Sequence, residues 1–278
     1  MKLSNILLAL RDDGVLSVAL RAGRAVLPRS ELRRLGALAL IDGKTGLEIG
    51  GPSAAFRRLG PFPAYLAAAR IDNCNFAPVT LWEGEIAEGR TFRFNPRRAP
   101  GQQFVGEATD LSFIAADSYD FVLSSHMIEH CANPLRALIE WRRILKPGGA
   151  LILVAPHKDG TFDHRRPVVT IEHLVADYEG EVDESDATHV EEVLALHDIS
   201  RDVDGGDFEA FEARTLRWRE NRCLHHHVFD THLAGEMVGR AGFRVTRAER
   251  TGPADILVVA INPPFSPASA GSGRPPGR

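Results

Sequence analysis

Imidazoles and carboxylates recur at three places along the chain: His126, Glu129 and His130; then His157, Asp159, Asp163 and His164; then His225, His226, His227 and Asp230. A neutral imidazole titrates near pH 6.5 and can take a hydroxyl proton in a transition state, a contribution of roughly 10²–10⁴ in rate. The same side chains also hold divalent metals. The pattern His126-x-x-Glu129-His130 therefore has two readings. In one, a histidine is the base, His130 or His157 first and His126 after them. In the other, His126, Glu129 and His130 ligate Mg, Mn or Zn, which would lower the pKa of an acceptor hydroxyl. Side chains of an extended segment alternate, so at most two of His225, His226 and His227 face one side, and His226 or His227 is the candidate. A second constellation is acidic: Glu48 stands just before the glycine turn Gly50-Gly51, and Asp72 follows 24 residues later. A carboxylate at the end of a second strand accepts both hydroxyls of a ribose, and Glu48 suits a cation, so the pair fits a positively charged nucleoside.

These groups need elements to hold them, and the sequence supplies an alternation of short apolar strands and amphipathic helices, the pattern of a parallel sheet covered on both faces. Strands are predicted over 46–49, to near Ile71-Asp72, over 103–107, over 119–123 and over 150–155. The turn Gly50-Gly51-Pro52-Ser53 leads into a short helix over 54–59, with Pro52 in its first turn. A clearer helix has Asn133 as N-cap, Pro134 first and Leu135, Leu138, Ile139 and Leu145 on one face, stopped by Pro147-Gly148-Gly149. A last helix over 231–241 is closed by Gly242, and 243–245 pairs with 255–261 across the Gly252-Pro253 turn. The expected organisation is a helical arm over 1–45 acting as a lid or packing arm, a core over 46–262 with an inserted cap over 157–228, and a disordered tail over 263–278. In such a sheet the ligand lies beyond the carboxyl ends of the strands, where the histidines and carboxylates stand.

Composition narrows the classes. The 278 residues are 44% apolar and 25% charged with a net charge of −4, which disfavours nucleic acid and leaves small polar substrates. No apolar run reaches the roughly 18 residues that a bilayer span needs, and the N-terminus lacks the form of a secretory signal. Three scattered cysteines without CxxC spacing point to a reducing compartment, so a cytoplasmic protein is expected. The glycine turn departs from GxGxxG and its proline removes an amide donor, which disfavours a pyrophosphate. Arg165 and Arg166 belong to a charged turn or grip an anion. The eight carboxylates of 177–192, with no Lys or Arg among them, read as a solvated face, and Trp82, Trp141 and Trp218 as packing.

Four segments taken in order carry a resemblance: Leu47 to Ser53, Gly106 to Leu111, Tyr119 to His130, and Leu145 to Gly149. Together they resemble the class I S-adenosylmethionine-dependent methyltransferases of the type 11 group, well over 46–157 and weakly over the last strand pair. The resemblance implies an α/β, Rossmann-like, seven-stranded and mostly parallel sheet with an antiparallel last strand. It implies that Glu48, Gly50 and Gly51 face the methionine part of S-adenosylmethionine, Asp72 the ribose, and Thr109, Asp110 and Leu111 the adenine. Ser125 and His126 would lie under the sulfonium. The expected activity is methyl transfer to a hydroxyl of a small molecule or sugar. Methyltransferases that hold a metal here carry ExxEH, and this chain has His126 at the first Glu. The alternatives are a non-catalytic cofactor-binding scaffold and an NAD-dependent oxidoreductase; a homodimer is compatible with all three.

Overall fold

Runs that are apolar throughout, and runs that alternate at period two, become strands in the computed structural model, which describes residues 36–202 and 205–264. The strands are β1 (Thr45–Ile49), β2 (Arg70–Asn75), β3 (Val79–Thr80), β4 (Gly84–Glu85), β5 (Gly89–Phe92), β6 (Gly101–Val105), β7 (Tyr119–Ser125), β8 (Leu145–Pro156), β9 (Arg244–Thr251) and β10 (Asp255–Ile261). Eight form one sheet in the order β5-β6-β2-β1-β7-β8-β10-β9, while β3 and β4 make a separate hairpin. From β6 to β8 the neighbours are parallel, and β10 runs antiparallel to both β8 and β9. These seven are the expected sheet. The eighth strand, β5, pairs antiparallel with β6 at the far edge.

The period-two alternation of each strand decides which face it feeds. In β7, Val122 packs with Leu47, Leu151 and Leu153 under helices Pro134–Ile144 (α2) and Thr231–Arg240 (α7), and Phe121 and Leu123 pack with Ile152 and Val154 on the other face. That second face is closed by Phe56, Phe62 and the short helix Ala64–Ala67 (α1), together with Ala37, Leu38 and Ile41 of the N-terminal arm. The rest of the arm, residues 1–35, and the tail from 265 lie outside the described residues. On α2 the buried residues Leu135, Leu138, Trp141 and Ile144 fall at helical spacing, and Asn133 caps the first turn by accepting from the Arg136 amide at 3.0 Å.

Three local expectations are corrected. The second strand continues past Asp72 to Asn75, because Asn73, Cys74 and Asn75 keep their ladder with β6. The turn after β1 gives only a 3₁₀ turn, Ala54–Phe56, in place of a helix over 54–59, since the chain must rise to place Phe62 and Tyr65 in the core. Helix α2 ends at Ile144, and Lys146-Pro147-Gly148-Gly149 lies inside β8 as a bulge opposite Asp120, with Gly148 at φ +81°.

Between β8 and α7 the chain inserts the helices Ile171–Glu179 (α3), Val190–Leu196 (α4), Phe208–Thr215 (α5) and Trp218–Asn221 (α6). Strand order reverses at β1: β2 and β6 lie to one side and β7 and β8 to the other, which opens a crevice above the carboxyl ends of β1 and β7. Among the described residues no helix is long and apolar enough to cross a membrane.

Candidate active site

The floor of the crevice is the loop that follows β1. Gly50 takes φ +80°, where a side chain would be strained, and a Cβ on Gly51 would lie 2.2 Å from the Glu48 carboxyl carbon. The loop is pinned from beneath: Ser53 N–H donates to Glu48 Oε1 at 2.9 Å and the Tyr65 hydroxyl donates to Oε2 at 2.6 Å. Burial pushes the Glu48 carboxyl up to about 7, with the Tyr65 and Ser53 hydrogen bonds opposing it. Gly50 N–H donates to the Cys74 carbonyl and Gly51 N–H to Asn73 Oδ1. With Pro52 lacking an N–H, every amide of the turn is thus committed or absent.

Above the loop lies a cavity of about 760 Å³, within the size range of small-molecule and cofactor sites. Its walls are Gly50, Pro52 and Ser53 of the loop, Asn75 and Phe76 at the end of β2, Trp82 of the small hairpin, and Gly106, Glu107 and Ala108 after β6. Ser125, His126, Met127 and His130 after β7, Asp255 of β10, and Glu184 and Arg222 of the insertion complete it. Arg222 donates to Glu107 at 2.6 Å and pairs with Glu184 at 2.8 Å, so the insertion is tied across the mouth. Burial pushes the Glu184 carboxyl up to about 7, partly offset by Arg222. Asn75 Nδ2 is buried on this wall with no hydrogen-bond partner among the described residues.

Behind the wall after β7, Glu129, His130 and His225 each place one ligand atom within 4.8 Å of the others. His130 Nδ1 donates to the Leu224 carbonyl at 3.1 Å, which leaves a lone pair on Nε2 of the neutral ring. His225 Nδ1 is bound by Asp163 Oδ2 at 2.5 Å, and Asp163 is held in turn by fully buried Arg166. Burial opposes ionisation of Asp163, but His225 and Arg166 hold it well below the usual carboxylate range. Glu129 is fully buried, and neither of its carboxylate oxygens has a hydrogen-bond partner among the described residues. Burial pushes the Glu129 carboxyl up and pushes the His130 imidazole well down, with His225 adding to the latter. His126, at φ +50°, binds Asp255 Oδ1 through Nε2 at 2.9 Å and approaches Glu129 Oε1 with Nδ1 at 3.7 Å. Burial works against its charge, yet Asp255 and Glu129 raise its pKa.

Residues 60–153 match the family model described as a methyltransferase domain of the type 11 group. The match covers about a third of the chain and makes this segment similar to a methyltransferase domain. Among solved structures it is similar to a chain of the complex between the Haloferax volcanii Trm112 methyltransferase activator and a methyltransferase, at 16% identity over 92% of this chain and 99% of that one, TM-score 0.45. It is also similar to S-adenosylmethionine-dependent methyltransferases of Mesorhizobium loti (15% identity, 90% of this chain, 99% of that one, TM-score 0.45) and Aquifex aeolicus (14%, 90%, 98%, TM-score 0.40). Comparison with curated proteins gives no match.

Of the residues expected to contact the cofactor, Gly50 and Ser125 line the cavity. Glu48 does not; its carboxylate turns under the loop. Gly51 is engaged with Asn73. Asp72 stands mid-strand, bound by Arg70, the Tyr119 hydroxyl and the Gln102 amide, two residues short of the cavity. Thr109 and Asp110 line a separate shallow depression with Arg136 and Asp183, and Leu111 is in the core. Among the expected bases His126 and His130 line the cavity, whereas His157 is buried away from it with Nδ1 accepting from the Asp159 amide. In the metal constellation His225, and not His126, stands with Glu129 and His130, and His227, one of the two candidates in its segment, lies with His173 and His189 instead. Arg166 is spent on Asp163, Glu192 and the carbonyls of His225 and His226, and Arg165 pairs with Asp198. The acidic run is not all solvated: Asp177 and Glu184 turn inward. Trp82 belongs to the cavity wall and not to the packing assigned to it. Asn75 and Arg222 are not marked by the sequence, and Glu107 stands in the motif Gly106 to Leu111 without a role of its own. A longer β2 would have found Asn75, but no local signal marks Arg222.

Proposed function

We propose that this methyltransferase acts on a hydroxyl of a small molecule or sugar, with Glu129, His130 and His225 holding a divalent ion beside the acceptor. The observation that carries the reading is Glu129, a fully buried carboxylate with neither oxygen hydrogen-bonded among the described residues, within ligand reach of two imidazoles. Leaving such a group bare costs several kcal/mol, roughly, unless a cation or proton compensates it. A carbonyl behind one imidazole and a carboxylate behind the other fix each ring with Nε2 outward, the support that metal-ligating histidines normally have. Two imidazoles and one carboxylate suit Mn or Zn better than Mg.

S-adenosylmethionine supplies an electrophilic methyl on a sulfonium centre. The residues fit it by position: Gly50 and Ser53 form the floor, and the free Nδ2 of Asn75 at the end of β2 is the donor for a ribose hydroxyl, the role expected of Asp72. Gly106, Glu107 and Ala108 with Phe76 and Trp82 wall the nucleobase side. The turn offers no free amide to a pyrophosphate, which weighs against the oxidoreductase alternative. An ion at the cluster would acidify an acceptor hydroxyl. Without one, His130 Nε2 carries the lone pair needed for a general base, and burial keeps the ring neutral near pH 7.

Calorimetry with S-adenosylhomocysteine and NADH, followed by transfer of labelled methyl to candidate hydroxyl acceptors, tests the reading. Binding of S-adenosylhomocysteine, loss of turnover in EDTA and its return with Mn or Zn are expected. The variant His225→Ala should lower kcat by roughly 10²-fold or more while leaving S-adenosylhomocysteine affinity near that of the wild type. Preference for NADH overturns the function, and EDTA-insensitive turnover leaves His130 as the base.

A further inference from the structure

A second convergence lies outside the cavity wall, between the insertion and the strand-like segment that returns from it. His173 and Asp177 stand four residues apart on one face of α3, His189 precedes α4, and His227 lies in the extended stretch before α7. His189 and His227 are buried, and the ligand atoms of the three histidines lie within 4.8 Å of one another. His173 Nε2 is 3.1 Å from His189 Nε2 and 3.3 Å from Asp177 Oδ2, and His227 Nε2 is 3.0 Å from the same carboxylate oxygen.

These separations have a geometric meaning. Four ligand atoms placed tetrahedrally about 2.0–2.1 Å from a zinc ion lie about 3.3 Å from each other. The tautomers agree with an ion. His227 Nδ1 is 3.2 Å from the Cys131 carbonyl, which can only accept, so Nδ1 carries the proton and a neutral ring turns a lone pair on Nε2 toward the Asp177 carboxylate. Two acceptors then face each other at hydrogen-bond distance inside the protein, and a further pair of imidazole nitrogens faces alongside.

We propose that His173, Asp177, His189 and His227 form a closed, structural site for a zinc-class divalent cation. Its place in the fold gives it a task. Asp177 and His189 come from the insertion, His227 from the segment that carries His225, and the Cys131 carbonyl behind His227 from the turn after β7. The ion would clamp these three pieces and so hold His225 two residues away against Glu129 and His130. All four ligands come from the protein, so the site keeps no open position for substrate.

The test uses the full chain, with the cavity-side cluster silenced by Glu129→Gln combined with His130→Ala. After exhaustive gel filtration, elemental analysis is expected to find one zinc per chain in this double variant. Adding His189→Ala to it should remove that zinc. Because His189→Ala could unfold the protein, a second arm adds the milder His173→Gln, at a partly exposed ligand, to the double variant and replaces zinc with Co²⁺. A strong tetrahedral visible band is expected in the double variant, weakened or lost with His173→Gln. In the chelator-stripped double variant, saturating zinc should raise Tm by roughly 10 °C. The proposal is overturned if the double variant holds no zinc, if the band is indifferent to His173→Gln, or if zinc leaves Tm unmoved. None of these readouts depends on methyl transfer, so they stand apart from the fate of the active-site cluster.

Discussion

Glu48 shows how one buried side chain couples the loop after β1 to pH. Its carboxyl titrates near 7 in the folded chain against an ordinary 4.5, because burial outweighs the hydrogen bonds from Tyr65 and Ser53. The folded state therefore prefers the protonated form. The stability this contributes is present in full below about pH 4.5 and is lost as pH rises through about 7, an effect on the order of 3 kcal/mol. Urea unfolding of wild type and Glu48→Gln across pH 4–8 should show the wild type losing about that much stability relative to the variant. A flat difference would mean that Glu48 stays ionised or exchanges with solvent. At the same scale, Glu129 is a buried carboxylate whose oxygens have no hydrogen-bond partner among the described residues, and the proposed cation would compensate it.

At the scale of the element, α2 carries two tasks through its cap. The Asn133 side chain accepts from the Arg136 amide and donates through Nδ2 to the Asp177 and Val182 carbonyls at 3.0 and 3.3 Å. The first bond starts the helix that covers one face of the sheet, and the second ties that helix to α3 of the insertion. Asn133→Ala should destabilise the protein by about 1–2 kcal/mol through loss of the cap. Asn133→Asp retains the acceptor but sets a carboxylate oxygen against the insertion's carbonyls. Amide hydrogen exchange should then accelerate over 171–182 while α2 stays protected. Equal acceleration in both helices would show that the cap and the tie are one unit.

At the scale of the molecule, the insertion is joined to the sheet by charge as well as by apolar contact: Leu174 of α3 is buried in the main core with Val168, Ile171 and Val175 beside it, while Val190, Val193, Phe211 and Leu224 form a small cluster of their own. Arg166 is the hub: fully buried, it reaches Asp163 after β8, Glu192 of α4 and the His225 and His226 carbonyls. Removing one member of a buried ion network leaves the others uncompensated, so Arg166→Met should cost about 3–5 kcal/mol in chemical unfolding. The loss should be accompanied by weaker retention of the proposed ions, because the backbone of the histidine segment hangs on this guanidinium. A variant as stable as the wild type would contradict the hub.

The linear sequence determined what depends on near neighbours. Strand positions follow from apolar runs, α2 from Asn133 and Pro134, and the glycine turn at 50–51 from residues that tolerate its backbone, because each signal is completed within a few positions. The order of motifs likewise marked the crevice where ligand chemistry belongs. Only the tertiary structure decided which side chains arrive there. Strand β2 extends to Asn75 because a ladder with β6, some thirty residues away, supports it, and this moves Asp72 off the site. His225, and not His226 or His227, reaches Glu129 and His130, while His227 meets His173 and His189, because the orientation of that segment is set by Arg166 and the Cys131 carbonyl from distant parts of the chain. Long-range partners choose the occupant of a site, and no window of local sequence contains them.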